Sequence, residues 1–477
     1  MNLNLDTEDN QKFATWGLIG VCAIAVFLRF WGLERFNVFV FDEIYYAKFA
    51  NNYLTNTKFF NSHPPLSQYL IAIGIWIGDR LPIGRDNVNE LTGSLRSTFS
   101  YRWMNALFGS FIPPLVAAVA YQLNQRMSYA FIAALFISLD GLFLIDSRYA
   151  LNNIFLVFFG VLGQLLVLIA IRANPDRRFL LLLGAGVAFG ASIACKWNGL
   201  WFLLGIYILI FIARIWKIIK SKLWQLSVLT NSLLDGLAEL RLIQLFFSLL
   251  IVPAIIYSLL WIPHLIQNPT PNFIDVQLAI LNYHKEIGNG AGVHPYCANW
   301  YTWPLLMRPL AYYFTEYKDD YFYDVHAMGN PLLWWLALAA VFASIWVMIN
   351  HVRSTIKIFN IGRVIPIPIE EINLDYITIP LFVFVNYAAN LLPWVRVTRC
   401  LYIYHYMGAV LFAVMGLAWF VDIWLRSNSK LLQALGLTTI FGVAASFVFW
   451  LPVFLGLSIE RTALSLRLWD FWIFNWI

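Results

Sequence analysis

Charged residues are scarce in this sequence. They make up 12% of its 477 residues, whereas hydrophobic residues make up 60%. A soluble domain typically carries charge on about a quarter of its residues. So little charge cannot cover a surface that faces water, and most of this chain must therefore face lipid. The net charge of +6 comes from Lys and Arg scattered between apolar runs, which is typical of topology determinants rather than of a nucleic-acid interface.

Cysteine is also rare. The four cysteines are Cys22, Cys195, Cys297 and Cys400, and they form neither a CxxC pair nor a metal-ligand spacing. Cys22 and Cys195 lie in apolar runs and fit small core positions. Cys297 and Cys400 fit the outer side of a membrane protein, and the sequence leaves open whether they are bridged.

Several familiar binding loops are missing. The sequence contains no Walker A loop, no GxGxxG turn and no HExxH helix. It also lacks the DxD motif of soluble sugar-nucleotide enzymes. These absences argue against the common nucleotide and zinc-protease sites.

Long apolar runs dominate what is present. A membrane-spanning helix needs roughly 20 apolar residues, and the sequence predicts an all-α polytopic membrane protein of about eleven spans. We expect a single membrane domain over 1–477 with no soluble domain, the first run being a retained span and not a removed signal peptide. The predicted spans are 14–33, 100–122, 129–146, 150–171, 179–196, 198–213, 242–262, 331–350, 374–392, 402–423 and 433–456.

The distribution of Lys and Arg predicts the orientation. With the N-terminus in the cytoplasm, nearly every inner loop is basic, for example through Arg126, Arg172 and Arg363. The stretch 214–241 is expected to form an amphipathic helix on the inner surface. Two long loops then face outward, and we expect the chemistry there. These outer loops are 34–99 and 263–329.

The first outer loop begins with FDEIYYAKFANNY at 41–53, which places Asp42 and Glu43 just outside the first span. Adjacent acids point in different directions on a helix, so one shared task is not expected. A carboxylate near an apolar surface can have a raised pKa and act as a general base. The alternative is an acid pair that complements the helix dipole.

HPPL at 63–66 follows in the same loop. Two prolines make a rigid, extended entry to the next helix. His63 could bind a phosphate or a sugar hydroxyl, or it could only cap a turn.

Three cations stand at outer span ends: Arg102, Arg148 and Lys196. Charges at this depth are costly and usually face a cavity or each other. Together the three could line an outward cavity and bind a lipid-linked phosphate, including its leaving-group charge. Alternatively, Arg102 snorkels to the interface and Arg148 pairs with Asp146.

Aromatic and histidine clusters mark the later outer segments. Trp and Tyr beside His form a plausible platform for a sugar ring, and the alternative is an aromatic belt at the membrane interface. The candidate substrate-binding residues are His294, Tyr296, Trp300, Trp303 and His405.

In combination these motifs resemble glycosyltransferase family 39, the protein O-mannosyltransferases, which have the GT-C membrane fold. The resemblance covers nearly the whole chain and is to the short bacterial form, since 263–329 is too short for the large luminal insert of eukaryotic members. The matching motifs are FDE, HPPL, Arg102 before ALFG, SRYAL, KWNGL, HPY, NWYTWP with RP, GNP with WW, and LPW with YIYHYM.

The resemblance implies a reaction and roles for residues. Mannose would pass, with inversion, from polyprenyl-phosphate mannose to Ser or Thr hydroxyls of exported proteins, on the outer face of the plasma (inner) membrane. Asp42 would be the base and Glu43 would orient the site. Arg102, Arg148 and Lys196 would hold the departing lipid phosphate.

The resemblance also bears on cofactors and partners. No cofactor is expected, although the extra carboxylates leave room for a divalent metal. The expected partners are the lipid-linked donor, an exported protein or peptide and the bilayer, with no nucleic acid. Many family members carry Asp where this chain has Asn153, which puts a catalytic role there in doubt.

Two alternatives stay open. A GT-C enzyme could move another sugar to a lipid or glycan acceptor, since acceptor choice depends on outer loops of similar composition. A polytopic transporter would also carry intramembrane Asp and Arg. Against a transporter, the sequence has no inverted repeat and its charges cluster at outer span ends instead of the midplane.

Overall fold

A computed structural model describes residues 8–85, 87–222, 229–362, 372–373 and 375–477. Arg363, predicted in an inner loop, lies outside these residues, as does part of the predicted helix over 214–241.

The described chain is mainly helical. Its α-helices are α1 (Glu8–Phe30), α2 (Glu43–Thr55), α3 (Leu66–Gly78), α4 (Thr98–Ser110), α5 (Ile112–Asn124), α6 (Met127–Ser138), α7 (Gly141–Asp146), α8 (Asn153–Arg172), α9 (Pro175–Cys195), α10 (Leu200–Lys222), α11 (Ser232–Glu239), α12 (Leu242–Leu245), α13 (Val252–Gln267), α14 (Phe273–Glu286), α15 (Pro331–Gly362), α16 (Thr378–Leu391), α17 (Met407–Arg426), α18 (Lys430–Leu455) and α19 (Arg461–Ser465). A π-helical segment, Phe246–Ile251, joins α12 to α13. Short 3₁₀ helices are Trp197–Gly199, Trp300–Leu305, Asp375–Ile377, Leu392–Arg396 and Ile403–Tyr406.

Short strands form four small sheets in the loops. The strands are β1 (Val88–Leu91), β2 (Ser94–Ser97), β3 (Leu229–Thr230), β4 (Leu310–Lys318), β5 (Tyr321–Ala327), β6 (Ile372–Asn373), β7 (Ser458–Glu460), β8 (Asp470–Phe471) and β9 (Phe474–Asn475). β4, β5 and β7 form an antiparallel sheet in that order. In register, Phe314 faces Asp324 and Phe322 faces Ile459. This sheet places the end of the second outer loop against the segment that follows α18.

Ten stretches of the described chain are long and apolar enough to cross a membrane, and they coincide with ten of the eleven predicted spans. These stretches are Gln11–Phe30, Thr98–Asn124, Asn153–Arg172, Pro175–Cys195, Trp197–Lys222, Leu242–Gln267, Pro331–Ser354, Asp375–Arg396, Ile403–Arg426 and Lys430–Leu455.

The remaining predicted span, 129–146, is not one helix. It consists of α6 and α7, with a break at Asp140. The Asp140 carboxylate accepts the N–H of Phe143 at 3.0 Å and so caps the start of α7. It also accepts the indole N–H of Trp334 at 2.5 Å. A buried acid with these partners starts a new helix, which apolar run length alone does not reveal.

The prediction of one amphipathic helix over 214–241 is also wrong. The spanning helix α10 continues to Lys222, and a separate short helix, α11, begins at Ser232. Asn231 caps α11 by accepting the N–H of Leu234 at 3.0 Å.

Helix α17 lies at the centre of the bundle, where it packs against α6, α15, α16 and α18. Most of its side chains are buried. Large apolar side chains on α1 and α18, by contrast, point outward: Phe13 is 72% exposed and Phe441 69%. Exposed apolar surface of this extent fits a helix bundle that faces lipid. The bundle thus supports the loops that carry the site.

Candidate active site

Asp42 stands at the first turn after the linker that follows α1. The preceding residue, Phe41, has a positive φ of 54°, and its ring stacks on Tyr312 with centroids 4.5 Å apart. Asp42 occupies the N-cap position of α2, but its side chain accepts no capping hydrogen bond. The carboxylate therefore does not cap its own helix and is left to face a cavity.

Glu43, its neighbour, points the other way and is fully buried. Its carboxylate accepts the backbone N–H groups of Val40 and Ala150, both at 3.0 Å. It also receives two bonds from Arg102, at 2.8 Å and 2.7 Å. With these four bonds Glu43 holds the linker, α2 and α4 together. The expectation that the two acids have separate tasks agrees with this geometry.

Arg102 is fully buried, and all its N–H donors have partners. Besides Glu43, it donates to the carbonyls of Leu33 at 3.0 Å, Phe36 at 2.9 Å and Val38 at 2.8 Å. A guanidinium group has five donors, so none remains for a phosphate. The side chain instead fixes the linker between α1 and α2.

Arg148 closes the end of α1. Its guanidinium donates to the carbonyls of Leu28 at 2.6 Å, Trp31 at 2.8 Å and Gly32 at 3.0 Å. These carbonyls lie at a helix C-terminus, where acceptors lack intrahelical partners and a cation is favourable. The structure therefore brings neither Arg102 nor Arg148 to the cavity in which Asp42 lies.

Lys196 does face that cavity. It follows the last residue of α9, and its ammonium donates to Asn153 Oδ1 at 3.0 Å. Asn153 in turn donates to Asp146 at 3.3 Å, and the Tyr312 hydroxyl donates to the same oxygen at 3.0 Å. Asn153 thus links a buried acid to the lysine, which orients Lys196.

Two adjoining cavities form the candidate site. The first has a volume of about 330 Å³, and the second about 570 Å³. Asp42, Tyr46, Tyr402 and Tyr404 line the first only. The second is walled by apolar side chains, which include Trp197, Leu200, Trp201, Leu281 and Trp394. Both share His63, Lys196, His284, Arg399 and His405.

The electrostatics of the cavities distinguish a base from the cations. Burial raises the pKa of Asp42 to about 6, against the opposing positive charge of Lys196. Burial and then the neighbouring cations hold the pKa of His63 well below its ordinary value and lower that of His284 to about 4. At neutral pH His63 and His284 are therefore neutral. The cations that line the cavities are Lys196 and Arg399 in both, with Lys285 and Arg396 in the second only.

The predicted site residues are only partly gathered here. His63 and His405 line both cavities. His294 lies behind Tyr402, with ring centroids 5.2 Å apart, and Trp303 is fully buried behind His405. Tyr296 and Trp300 are half-buried and line neither cavity.

Sequence reasoning missed Arg399, His284 and the tyrosines of the first cavity. Arg399 ends the segment LPWVRVTR, and His284 belongs to YHKE at 283–286. Both segments stand out as polar clusters in outer loops. Nothing local in them indicates that they meet at Lys196.

The structure shows which of the four cysteines are bridged. Cys297 and Cys400 form a disulfide with their Cα atoms 5.2 Å apart. Cys22 and Cys195 are free. The bridge ties the second outer loop to the residue after Arg399.

Comparison with known proteins supports the resemblance. The family model described as dolichyl-phosphate-mannose-protein mannosyltransferase matches residues 20–267, more than half of the chain. A second model, the C-terminal four TMM region of protein-O-mannosyltransferase, matches residues 269–472. The chain is 24% identical to the polyprenol-phosphate-mannose–protein mannosyltransferase of Corynebacterium glutamicum, over 85% of this chain and 81% of that protein.

The fold is similar to solved structures of GT-C enzymes. It resembles the Saccharomyces cerevisiae protein O-mannosyltransferase Pmt1–Pmt2 complex bound to the sugar donor, with a TM-score of 0.76, 14% identity and coverage of 98% of this chain and 94% of that chain. It also resembles ArnT from Cupriavidus metallidurans bound to undecaprenyl phosphate, with a TM-score of 0.54, 14% identity and coverage of 92% and 65%. The chain is thus an integral membrane protein, and it belongs to the dolichyl-phosphate-mannose-protein mannosyltransferase family.

Proposed function

We propose that this protein transfers mannose from polyprenyl-phosphate mannose to Ser or Thr hydroxyls of exported proteins, with inversion at the anomeric carbon. One observation carries the proposal: a half-buried carboxylate, Asp42, shares a cavity with two cations, Lys196 and Arg399. The family membership and the name of the bacterial relative support the donor and the acceptor.

The chemistry follows from this arrangement. Asp42 takes the proton of the acceptor hydroxyl as the oxygen bonds to the anomeric carbon. The bond between that carbon and the phosphate oxygen breaks, and its electron pair leaves with the polyprenyl phosphate. Lys196 and Arg399 stabilise the charge that develops on this phosphate. The two cations supply this stabilisation without a metal cofactor.

We place the prenyl chain of the donor in the second cavity and its mannose in the first. The prenyl chain lies along the apolar wall of the second cavity, which includes Leu200, Trp201 and Trp394. The phosphate sits at the shared wall, beside Lys196 and Arg399. The mannose then occupies the first cavity. This placement brings the anomeric carbon to the side of Asp42.

In this proposal Glu43, Arg102 and Arg148 act indirectly, by holding the backbone that surrounds the site. They fix the linker between α1 and α2 and thereby the position of Asp42. The sequence predicted that Arg102 and Arg148 bind the donor phosphate. We assign that role to Arg399, which acts beside Lys196.

The site is proposed to face the outer side of the plasma membrane, with the N-terminus in the cytoplasm. The disulfide between Cys297 and Cys400 supports this orientation, because disulfides persist in oxidising compartments and are rare in the cytosol. The basic inner loops give the same orientation.

The direct test uses purified protein in detergent, radiolabelled polyprenyl-phosphate mannose and Ser/Thr peptides. Label should appear on the peptide with the wild type and not with Asp42→Asn. Donor binding without label on any peptide would redirect the acceptor to a lipid or glycan. A protein that binds no donor would refute the proposal.

A further inference from the structure

The bridged cysteines join two segments that are far apart in the chain. Cys297 lies in the second outer loop, and Cys400 is buried and lines the first cavity. Two backbone hydrogen bonds flank the bridge: Cys400 N–H donates to Gly288 at 2.7 Å, and Ala298 N–H donates to Leu401 at 2.8 Å. The outer loop and the cavity wall are therefore held together here.

The loop that carries Cys297 is a flexible sequence. It contains three glycines within five residues, Gly288, Gly290 and Gly292, and every residue of 288–293 is exposed. Glycine gives the backbone more conformational freedom than any other residue. The bridge anchors the end of this glycine-rich stretch covalently at Cys297, so the stretch cannot carry Cys297 away from Cys400. Without the bridge, the loop would hold Cys400 only through hydrogen bonds.

Arg399 depends on Cys400 for its orientation. Its guanidinium donates to the carbonyl of Cys400 at 3.0 Å, and within the described residues it makes no other hydrogen bond. The side chain lines both cavities and is half-buried. Other groups near its charge are Lys196, the three histidines His63, His284 and His405, and the hydroxyls of Tyr46, Tyr283, Tyr402 and Tyr404. None of these is close enough to fix the guanidinium by a hydrogen bond.

We propose that the Cys297–Cys400 disulfide is a positioning device for the donor phosphate: it fixes the Cys400 carbonyl that directs Arg399 into the cavity. This inference rests on the proposed function, in which Arg399 binds that phosphate. Donor affinity then depends on the oxidised state of the pair. Cys297 and Cys400 are positioning residues, because neither contacts the reacting atoms.

Reduction of the Cys297–Cys400 disulfide should abolish the positioning of Arg399. A dithiol such as dithiothreitol supplies two electrons and two protons, becomes a cyclic disulfide and leaves Cys297 and Cys400 as thiols. The loop is then free to move away from the cavity wall. Arg399 loses its fixed acceptor, although its charge remains.

A double-mutant cycle tests the inference on the full-length protein in detergent. The variants are wild type, Cys297→Ser/Cys400→Ser, Arg399→Ala and the triple variant, and the measurement is equilibrium binding of polyprenyl-phosphate mannose. Removing the bridge should weaken donor binding by about ten-fold, which corresponds to the coupling measured between residues in one network. In the Arg399→Ala background, removing the bridge should cause no further loss.

A second readout separates positioning from general damage. The KM for the peptide acceptor should stay near the wild-type value, and Cys22→Ser, which removes a free cysteine within α1, should leave donor binding unchanged. If the serine variant fails to fold, the wild type treated with dithiothreitol replaces it in the cycle, with Cys22→Ser treated in parallel.

The outcomes are distinguishable. Unchanged donor binding without the bridge overturns the inference, and so does an equal loss in the Arg399→Ala background. If Arg399→Ala itself leaves donor binding intact, the inference fails together with the phosphate role of Arg399. A lack of mannose transfer by the wild type, with donor binding still sensitive to the bridge, would refute the proposed reaction only.

Discussion

Glu43 and Arg102 form a two-bond ion pair in which neither side chain is exposed to solvent. Glu43 directly follows Asp42 in sequence, and its partner Arg102 also donates to three carbonyls of the linker. The charged group that the sequence suggested for phosphate binding is thus part of the frame that holds the base.

Removing one partner of this pair should destabilise the protein. We expect Arg102→Ala to lower the free energy of unfolding by about 3–5 kcal/mol, because it leaves the Glu43 carboxylate buried and unpaired. Thermal unfolding in detergent measures the loss. The control is Arg461→Ala, which removes the cation of an exposed pair with Asp320 and should change stability by about 1 kcal/mol at most. A stable Arg102→Ala protein with weakened donor binding would return the phosphate role to Arg102.

Asp42→Asn should abolish the proton transfer while keeping the shape of the cavity. Loss of a positioned base typically lowers the rate by about 10²–10⁴-fold, and donor affinity should stay near the wild-type value. Mannose transfer and donor binding are measured on the same preparation. Glu316→Gln, at an exposed position on β4, serves as the matched control. A wild-type rate in Asp42→Asn would remove Asp42 from the reaction.

The pH profile should report the same carboxylate. Asp42 accepts a proton only when ionised, and burial raises its pKa to about 6. The value of kcat/KM for a substrate that dissociates rapidly relative to the chemical step should therefore fall as pH drops through about 6, and should be flat above that until another group titrates.

Lys196 supplies an internal check on that profile. Its positive charge lowers the pKa of Asp42, so Lys196→Met should move the acidic limb to higher pH as well as weaken donor binding. The profile of the variant is compared with that of the wild type over the same range. An acidic limb at unchanged pH would show that the titrating group is not Asp42.

Asn153 should matter through Lys196. The ammonium donates to Asn153 Oδ1, so Asn153→Leu removes this acceptor from a buried cation, and we expect a loss of roughly ten-fold in donor affinity. Asn153→Asp keeps an acceptor oxygen for Lys196 and should retain more of the affinity. Equal donor affinity in both variants and the wild type would contradict an orienting role.

Long spanning helices could be predicted from the sequence, but the break within one predicted span could not. Run length predicts a span such as Lys430–Leu455 well, because crossing the hydrocarbon core demands a minimum length of apolar helix. It fails at Asp140, because one buried carboxylate with a backbone partner is enough to end α6 and start α7. Within the site, Asp42, His63, Lys196 and His405 are brought to the cavities as motif reasoning expected.

The sequence alone determined that this is a lipid-embedded helical protein. Scarce charge and repeated apolar runs keep the chain out of water, and in lipid an apolar helix satisfies its own backbone hydrogen bonds. Its ordered motifs also determined the family. Only the tertiary structure decided which cations face the cavity. Arg102, Arg148 and Arg399 look alike in sequence, but the donors of a guanidinium bind whichever acceptors surround them. Linker carbonyls engage the first two, whereas Arg399 lines both cavities beside a cysteine that is bridged to the second outer loop.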